Sequence, residues 1–118
     1  MSRKIQKYRL LAFERQNGRC YYCEAPIWLE KIAEFAARFG LSLRQANLFK
    51  CTAEHRVARQ DGGSDSSENI VAACWFCNSR RHRRKLALSP KAFKKLVSQR
   101  MKQLKWHPKQ LHHMLETL

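Results

Sequence analysis

Apolar positions recur along this chain with two different periods. Ile5, Tyr8, Leu11 or Ala12, and Leu10 or Phe13 fall at helical spacing, which predicts a helix over 3–16 with Ser2 as its N-cap and Asn17-Gly18 as its stop. After Pro26 the spacing returns in Trp28, Ile32, Phe35, Ala36 and Phe39, and Gly40 stands where a left-handed C-terminal glycine is expected. Ser42-Leu43-Arg44-Gln45 has the form of a capping box that opens a short helix running to about Phe49. The pattern then changes. Lys50–Val57 predicts a strand, 59–67 is a polar loop with Gly62-Gly63, and Ile70-Val71-Ala72-Ala73 predicts a short apolar strand returning beside the first. Helical character resumes from Trp75 to about Leu86. Ser89-Pro90 opens a further helix with Phe93, Leu96, Val97, Met101 and Leu104 on its core face, and Trp106-His107-Pro108 breaks it before a short terminal helix.

The expected class is α+β, a hairpin and helix surrounded by additional helices. The 118 residues suit one domain over 1–118, with 28–49 as a helical insertion and 89–118 as basic C-terminal helices. The N-terminus lacks the apolar core of a signal peptide, and no run of about 18 apolar residues offers a membrane span. The expectation is an intracellular, reducing setting, where cysteines hold metals more often than disulfides.

Five cysteines sharpen that expectation. Cys20-Tyr-Tyr-Cys23 and Cys74-Trp-Phe-Cys77 are two CxxC pairs, and 50 residues separate Cys23 from Cys74. Four thiolates suit tetrahedral Zn²⁺, and a closed four-sulfur shell leaves no coordination position for a substrate, so this metal is expected to be structural. Cys51 has no CxxC partner and reads as a small buried residue or the end of a strand.

Chemistry must then come from other residues. Glu54 and His55 are neighbours on the first strand, and Asn78 follows Cys77 on the next helix, about 100° around its axis. One position can thus face the clamp and the next the hairpin. An imidazole with an ordinary pKa near ~6.5 is suited to take a proton from water at neutral pH. A divalent ion held by Glu54, Asn78 and waters would offset charge on a phosphodiester and its leaving oxygen, and the oxygen-rich set suits Mg²⁺ or Mn²⁺.

The segments CYYC, AEHRVARQDGGSDSSEN and IVAACWFCNSRR, covering residues 20–23 and 53–81, resemble the HNH endonuclease family with its ββα-metal fold. The resemblance implies His55 as general base, Glu54 as the acidic ligand of the catalytic ion, Asn69 as the central asparagine bracing the loop, and Asn78 as the third motif position, also a ligand. It implies Cys20, Cys23, Cys74 and Cys77 as structural zinc ligands. Glu54 stands where Asp is commoner, and Ala58 where many members have proline. The implied setting is cytoplasmic, in a bacterial or phage-like system.

Charge points the same way. There are 24 Lys and Arg against 9 Asp and Glu, a formal charge of +15, and no acidic residue lies between Ile70 and Leu115. Such a balance fits a polyphosphate partner. Arg80, Arg81, Arg83, Arg84 and Lys85 are candidate DNA contacts, and Lys91, Lys94, Lys95, Arg100, Lys102, Lys105 and Lys109 add to the basic surface; Trp106, Phe93 and the remaining histidines read as packing or surface residues. The leading expectation is a metal-dependent DNA endonuclease; alternatives are a zinc-stabilised nucleic-acid-binding module without activity and a protein–protein adaptor.

Overall fold

The computed structural model describes residues 1–83 and 86–115, and each element follows from a local signal. α1 (Arg3–Arg15) begins where the Ser2 hydroxyl accepts from the Ile5 amide at 3.1 Å, and it buries Ile5 and Ala12. α2 (Ile32–Phe39) ends at Gly40, whose φ of 65° is cheap only without a Cβ. α3 (Leu43–Asn47) opens with a reciprocal Ser42–Gln45 capping box. β1 (Cys51–His55) and β2 (Ile70–Cys74) pair antiparallel, from Cys51↔Cys74 to His55↔Ile70. β2 runs straight into α4 (Trp75–Arg83), and Ser89 caps α5 (Pro90–Lys102) with Pro90 in its first turn. A 3₁₀ segment, Lys109–Met114, follows.

The helix expected from Trp28 starts four residues later. Trp28 is instead used as a strand partner: its amide donates to Phe49 O at 3.3 Å and its carbonyl accepts from Cys51 N at 2.8 Å. Its indole also donates to Ala46 O at 2.7 Å. Those bonds cannot coexist with helical geometry at residue 28, so long-range pairing overrides the local period.

A two-stranded sheet needs cover on its free edges. Gln16 supplies part of it, with Nε2 donating to Ala72 O at 2.8 Å and Oε1 accepting from Ala72 N at 3.0 Å. The Tyr21 amide also donates to Ala72 O. The core gathers Tyr22, Phe49, Phe76, Phe93, Val97 and Leu111 around the four paired cysteines. The result is a mixed α+β arrangement of helices around one small antiparallel sheet, with a four-cysteine cluster at its centre. Among the described residues no helix is long and apolar enough to cross a membrane.

Candidate active site and metal centre

The sulfurs of Cys20, Cys23, Cys74 and Cys77 are buried and lie within 4.8 Å of one another. Cys23 Sγ and Cys74 Sγ are 3.9 Å apart. Thiolates about 2.3 Å from one ion in tetrahedral array stand about 3.8 Å apart, so the cluster fits a metal such as zinc and is too open for a disulfide. Each sulfur also has an N–H neighbour. Tyr22 N and Cys74 N donate to Cys20 at 3.4 and 3.3 Å, and Cys77 N donates to Cys74 at 3.3 Å. Trp106 Nε1 donates to Cys77 at 3.2 Å, and His107 Nε2 lies 3.3 Å from Cys23. Burial pushes the His107 imidazole down to about 4, so it is neutral, and the tautomer with its proton on Nε2 is the one that can donate to the sulfur.

Burial opposes ionisation at all four cysteines. It drives Cys23 and Cys77 well up and Cys74 up, while at Cys20 the hydrogen bonds from the other three thiols outweigh burial and hold it well below the ordinary value. Left alone, the cluster favours one thiolate; four require a cation, and loading it releases protons. Cys51, buried at the start of β1 and pushed up to about 12 by burial, is a neutral thiol outside this set.

Beside the cluster lies an open cleft of about 960 Å³, lined by Glu54, His55, Asn78 and His82 together with Ala58 and Gln60. His55 stands at the end of β1, paired with Ile70, and it and Glu54 both line the cleft. Glu54 is only 2% exposed. Its Oε1 is 2.9 Å from His82 Nε2. Arg81 Nη1 comes within 3.3 Å of Oε2 but at an angle that makes no hydrogen bond, so Oε2 has an ion-pair partner and no donor. Asn78 Nδ2 donates to Thr52 Oγ1 at 3.0 Å, which leaves the amide oxygen as its remaining acceptor at the cleft wall.

This donor set is of a chemical kind that divalent cations take. It offers a buried carboxylate oxygen without a hydrogen bond, an amide oxygen and an imidazole. Glu54 Oε1 and His82 Nε2, 2.9 Å apart, are hydrogen-bonded to each other, and Oε2 is the carboxylate oxygen that has no donor. With nitrogen included, the set suits Mn²⁺ and other first-row ions as well as Mg²⁺.

The loop after β1 is closed by Asn69, which is not among the residues that line the cleft. Val57 N donates to its Oδ1 at 2.8 Å, and its Nδ2 donates to Val57 O at 2.9 Å and Ser64 O at 2.8 Å. Gly63 is obligatory there, because a Cβ at that position would sit 1.7 Å from Val57 O. The closed loop delivers Asp65 to His55, with Oδ1 2.7 Å from Nε2. Arg59 Nε donates to the same oxygen at 2.9 Å. These two contacts, His55 first, hold the Asp65 carboxyl below its usual range.

Arg81, expected among the phosphate contacts, is turned inward and 4% exposed. Its guanidinium donates to His55 O, Arg56 O and Leu88 O at 3.1–3.3 Å, besides facing Glu54. Arg80 lies over the Phe76 ring at 3.7 Å, and Arg83 is exposed. Arg84 and Lys85 lie outside the described residues. His82, which lines the cleft, and Asp65, which contacts His55, were not among the expected site residues. His82 carries a sequence signal as the i+4 neighbour of Asn78 on one helix face. Asp65 carries none, because only loop closure brings it to His55.

Residues 44–84 match the family model described as HNH endonuclease. The matched stretch contains Glu54, His55, Asn69 and Asn78 with one CxxC pair, and Cys20 and Cys23 complete the metal cluster from outside it. No curated protein and no solved structure matches the chain.

Proposed function

We propose, with residues 44–84 taken as an HNH endonuclease domain, that this protein hydrolyses DNA phosphodiester bonds in the cleft above β1 and α4. The observation that carries this reading is the convergence of Glu54, His55, Asn78 and His82 on one open cleft next to a buried four-cysteine clamp. His55 Nε2 is engaged by Asp65, so Nδ1 is the atom that takes the proton from an attacking water. Asp65 favours the tautomer with its proton on Nε2 and stabilises the imidazolium once formed. Glu54, Asn78 and His82 would hold a divalent ion, which when bound supplies charge stabilisation at the scissile phosphate and the leaving oxygen. Asn69 keeps the loop, and hence Asp65 and His55, in register. Zinc in the cysteine cluster would keep α4, and so Asn78 and His82, at a fixed distance from β1.

A second reading, a nucleic-acid-binding module without activity, draws on one observation: Arg81 already balances the Glu54 charge. Supercoiled plasmid with a panel of Mg²⁺, Mn²⁺, Co²⁺ and Ni²⁺ separates the two. Nicking or linearisation by the wild type, reduced about 10²–10⁴-fold in His55→Ala with DNA binding retained, is the expected outcome. Binding without cleavage under every metal selects the second reading.

A further inference from the structure

A second depression, of about 580 Å³, is separate from the cleft and bounded by Tyr21, Arg56, Lys91, Lys94, Lys95 and Lys102. Lys91, Lys94, Lys95 and Lys102 are exposed and share one face of α5 at i, i+3, i+4 and i+11, while Phe93 and Val97 on the other face are buried. That row extends about 16 Å along the helix axis. No acidic side chain lines the depression, and none of its cations takes part in an ion pair among the described residues. Five uncompensated positive charges in one shallow groove repel one another unless a polyanion lies among them.

The groove is also held rigidly. Phe93 packs edge-on against Tyr22 at 4.9 Å and against Trp106 at 5.8 Å, so α5 is docked on the cysteine knuckle. The adjacent Tyr21 faces outward beneath Lys94 Nζ, 4.3 Å from the ring centre, with the Arg56 guanidinium 6.0 Å away. Arg56 directly follows His55. One residue at the end of β1 therefore serves the cleft and the next serves the groove.

We infer that this groove is an anchoring site for the backbone of duplex DNA, which carries one strand past Arg56 to the cleft. The inference deepens the nuclease reading and rests on it for the identity of the partner. A 16 Å row matches about five phosphates of one strand at about 3.4 Å of axis each. The contacts are to phosphate alone, so they hold and orient the substrate without reading its sequence.

The test is binding of a fluorescent 20-base-pair duplex to the full zinc-loaded chain, without added Mg²⁺ or Mn²⁺, across a salt series. Lys91→Gln/Lys95→Gln/Lys102→Gln is expected to flatten the log–log salt slope by about 2.7 and to weaken binding at low salt at least about tenfold, whatever the duplex sequence. Arg38→Gln/Arg44→Gln/Lys50→Gln, which removes equal charge from exposed positions elsewhere, should change the slope by less than about 1. Equal effects from the two triples would reduce the groove to bulk charge, and an unchanged slope in the first would overturn it. Both outcomes are read without cleavage. A protein that fails to cut plasmid yet loses its slope in the first triple refutes the nuclease and keeps the groove.

Discussion

Arg81→Ala separates a buried structural tie from a surface phosphate contact. The guanidinium and the Glu54 carboxylate are 5% and 2% exposed and 3.3 Å apart, and the same guanidinium serves the carbonyls of His55, Arg56 and Leu88. Removing one member of a buried pair costs roughly 3–5 kcal/mol, because the other charge stays buried without compensation. Against roughly 6–18 kcal/mol for a chain of this length, about 4 kcal/mol is a large fraction. At about 4 °C per kcal/mol for this size, Tm of the zinc-loaded protein should fall by about 15 °C. Arg81→Lys should fall in between, because it keeps the charge but not the fork that reaches several carbonyls. Thermal unfolding by circular dichroism at pH 7 measures this, and DNA binding at 20 °C on the still-folded variant completes the test. A Tm change under about 3 °C together with clearly weakened DNA binding would refute the buried-tie argument and return Arg81 to the phosphate surface.

Further outcomes rest on the same geometry. Asp65→Asn should lower plasmid cleavage roughly 10–100-fold with little change in DNA affinity, because an amide that donates to Nε2 favours the tautomer protonated on Nδ1; equal cleavage would mean that another group orients His55. The Asp65 carboxyl is held below its usual range, so its support is complete above the unfolded carboxyl value and is lost only as pH falls through the lower folded one. Loss of activity between pH 8 and pH 5 is therefore assigned to other groups, and an Asp65→Asn variant that removes that loss would contradict this. Trp106→Phe deletes the indole N–H on Cys77 while keeping a ring against Phe76, and zinc release to a colorimetric chelator should quicken several-fold; complete chelation should unfold the chain, because zinc binding of about 10–16 kcal/mol is comparable to its whole stability. Gly63→Ala should disorder the 57–69 loop and cost activity more than Tm, as seen in hydrogen exchange confined to that loop, since a Cβ meets Val57 O at 1.7 Å.

Signals that act within one turn of chain are legible in the sequence itself. Ser2 and Ser89 cap their helices, Ser42 and Gln45 form their box, and Gly40 takes the left-handed conformation, because each depends on residues at most four positions away. The two CxxC pairs are legible for a similar reason: a two-residue spacer brings two sulfurs together locally, and only their meeting across 50 residues needs the fold. Trp28 shows the limit. Its helical spacing is real, but pairing with Phe49 and Cys51 takes its backbone elsewhere.

The chain alone determined its helix caps, its hairpin, its two CxxC pairs and its excess of positive charge, since composition and short-range stereochemistry suffice for those. Tertiary structure decided which charges became partners. It turned Arg81 inward to Glu54, brought Asp65 to His55, set His82 beside Glu54 and laid Trp106 and His107 on the cysteine sulfurs. Such pairings join residues 10 to 84 positions apart, and no local rule selects them. They arise because burial makes an unpaired charge or donor expensive, and the partner that relieves it is whichever one packing brings within reach.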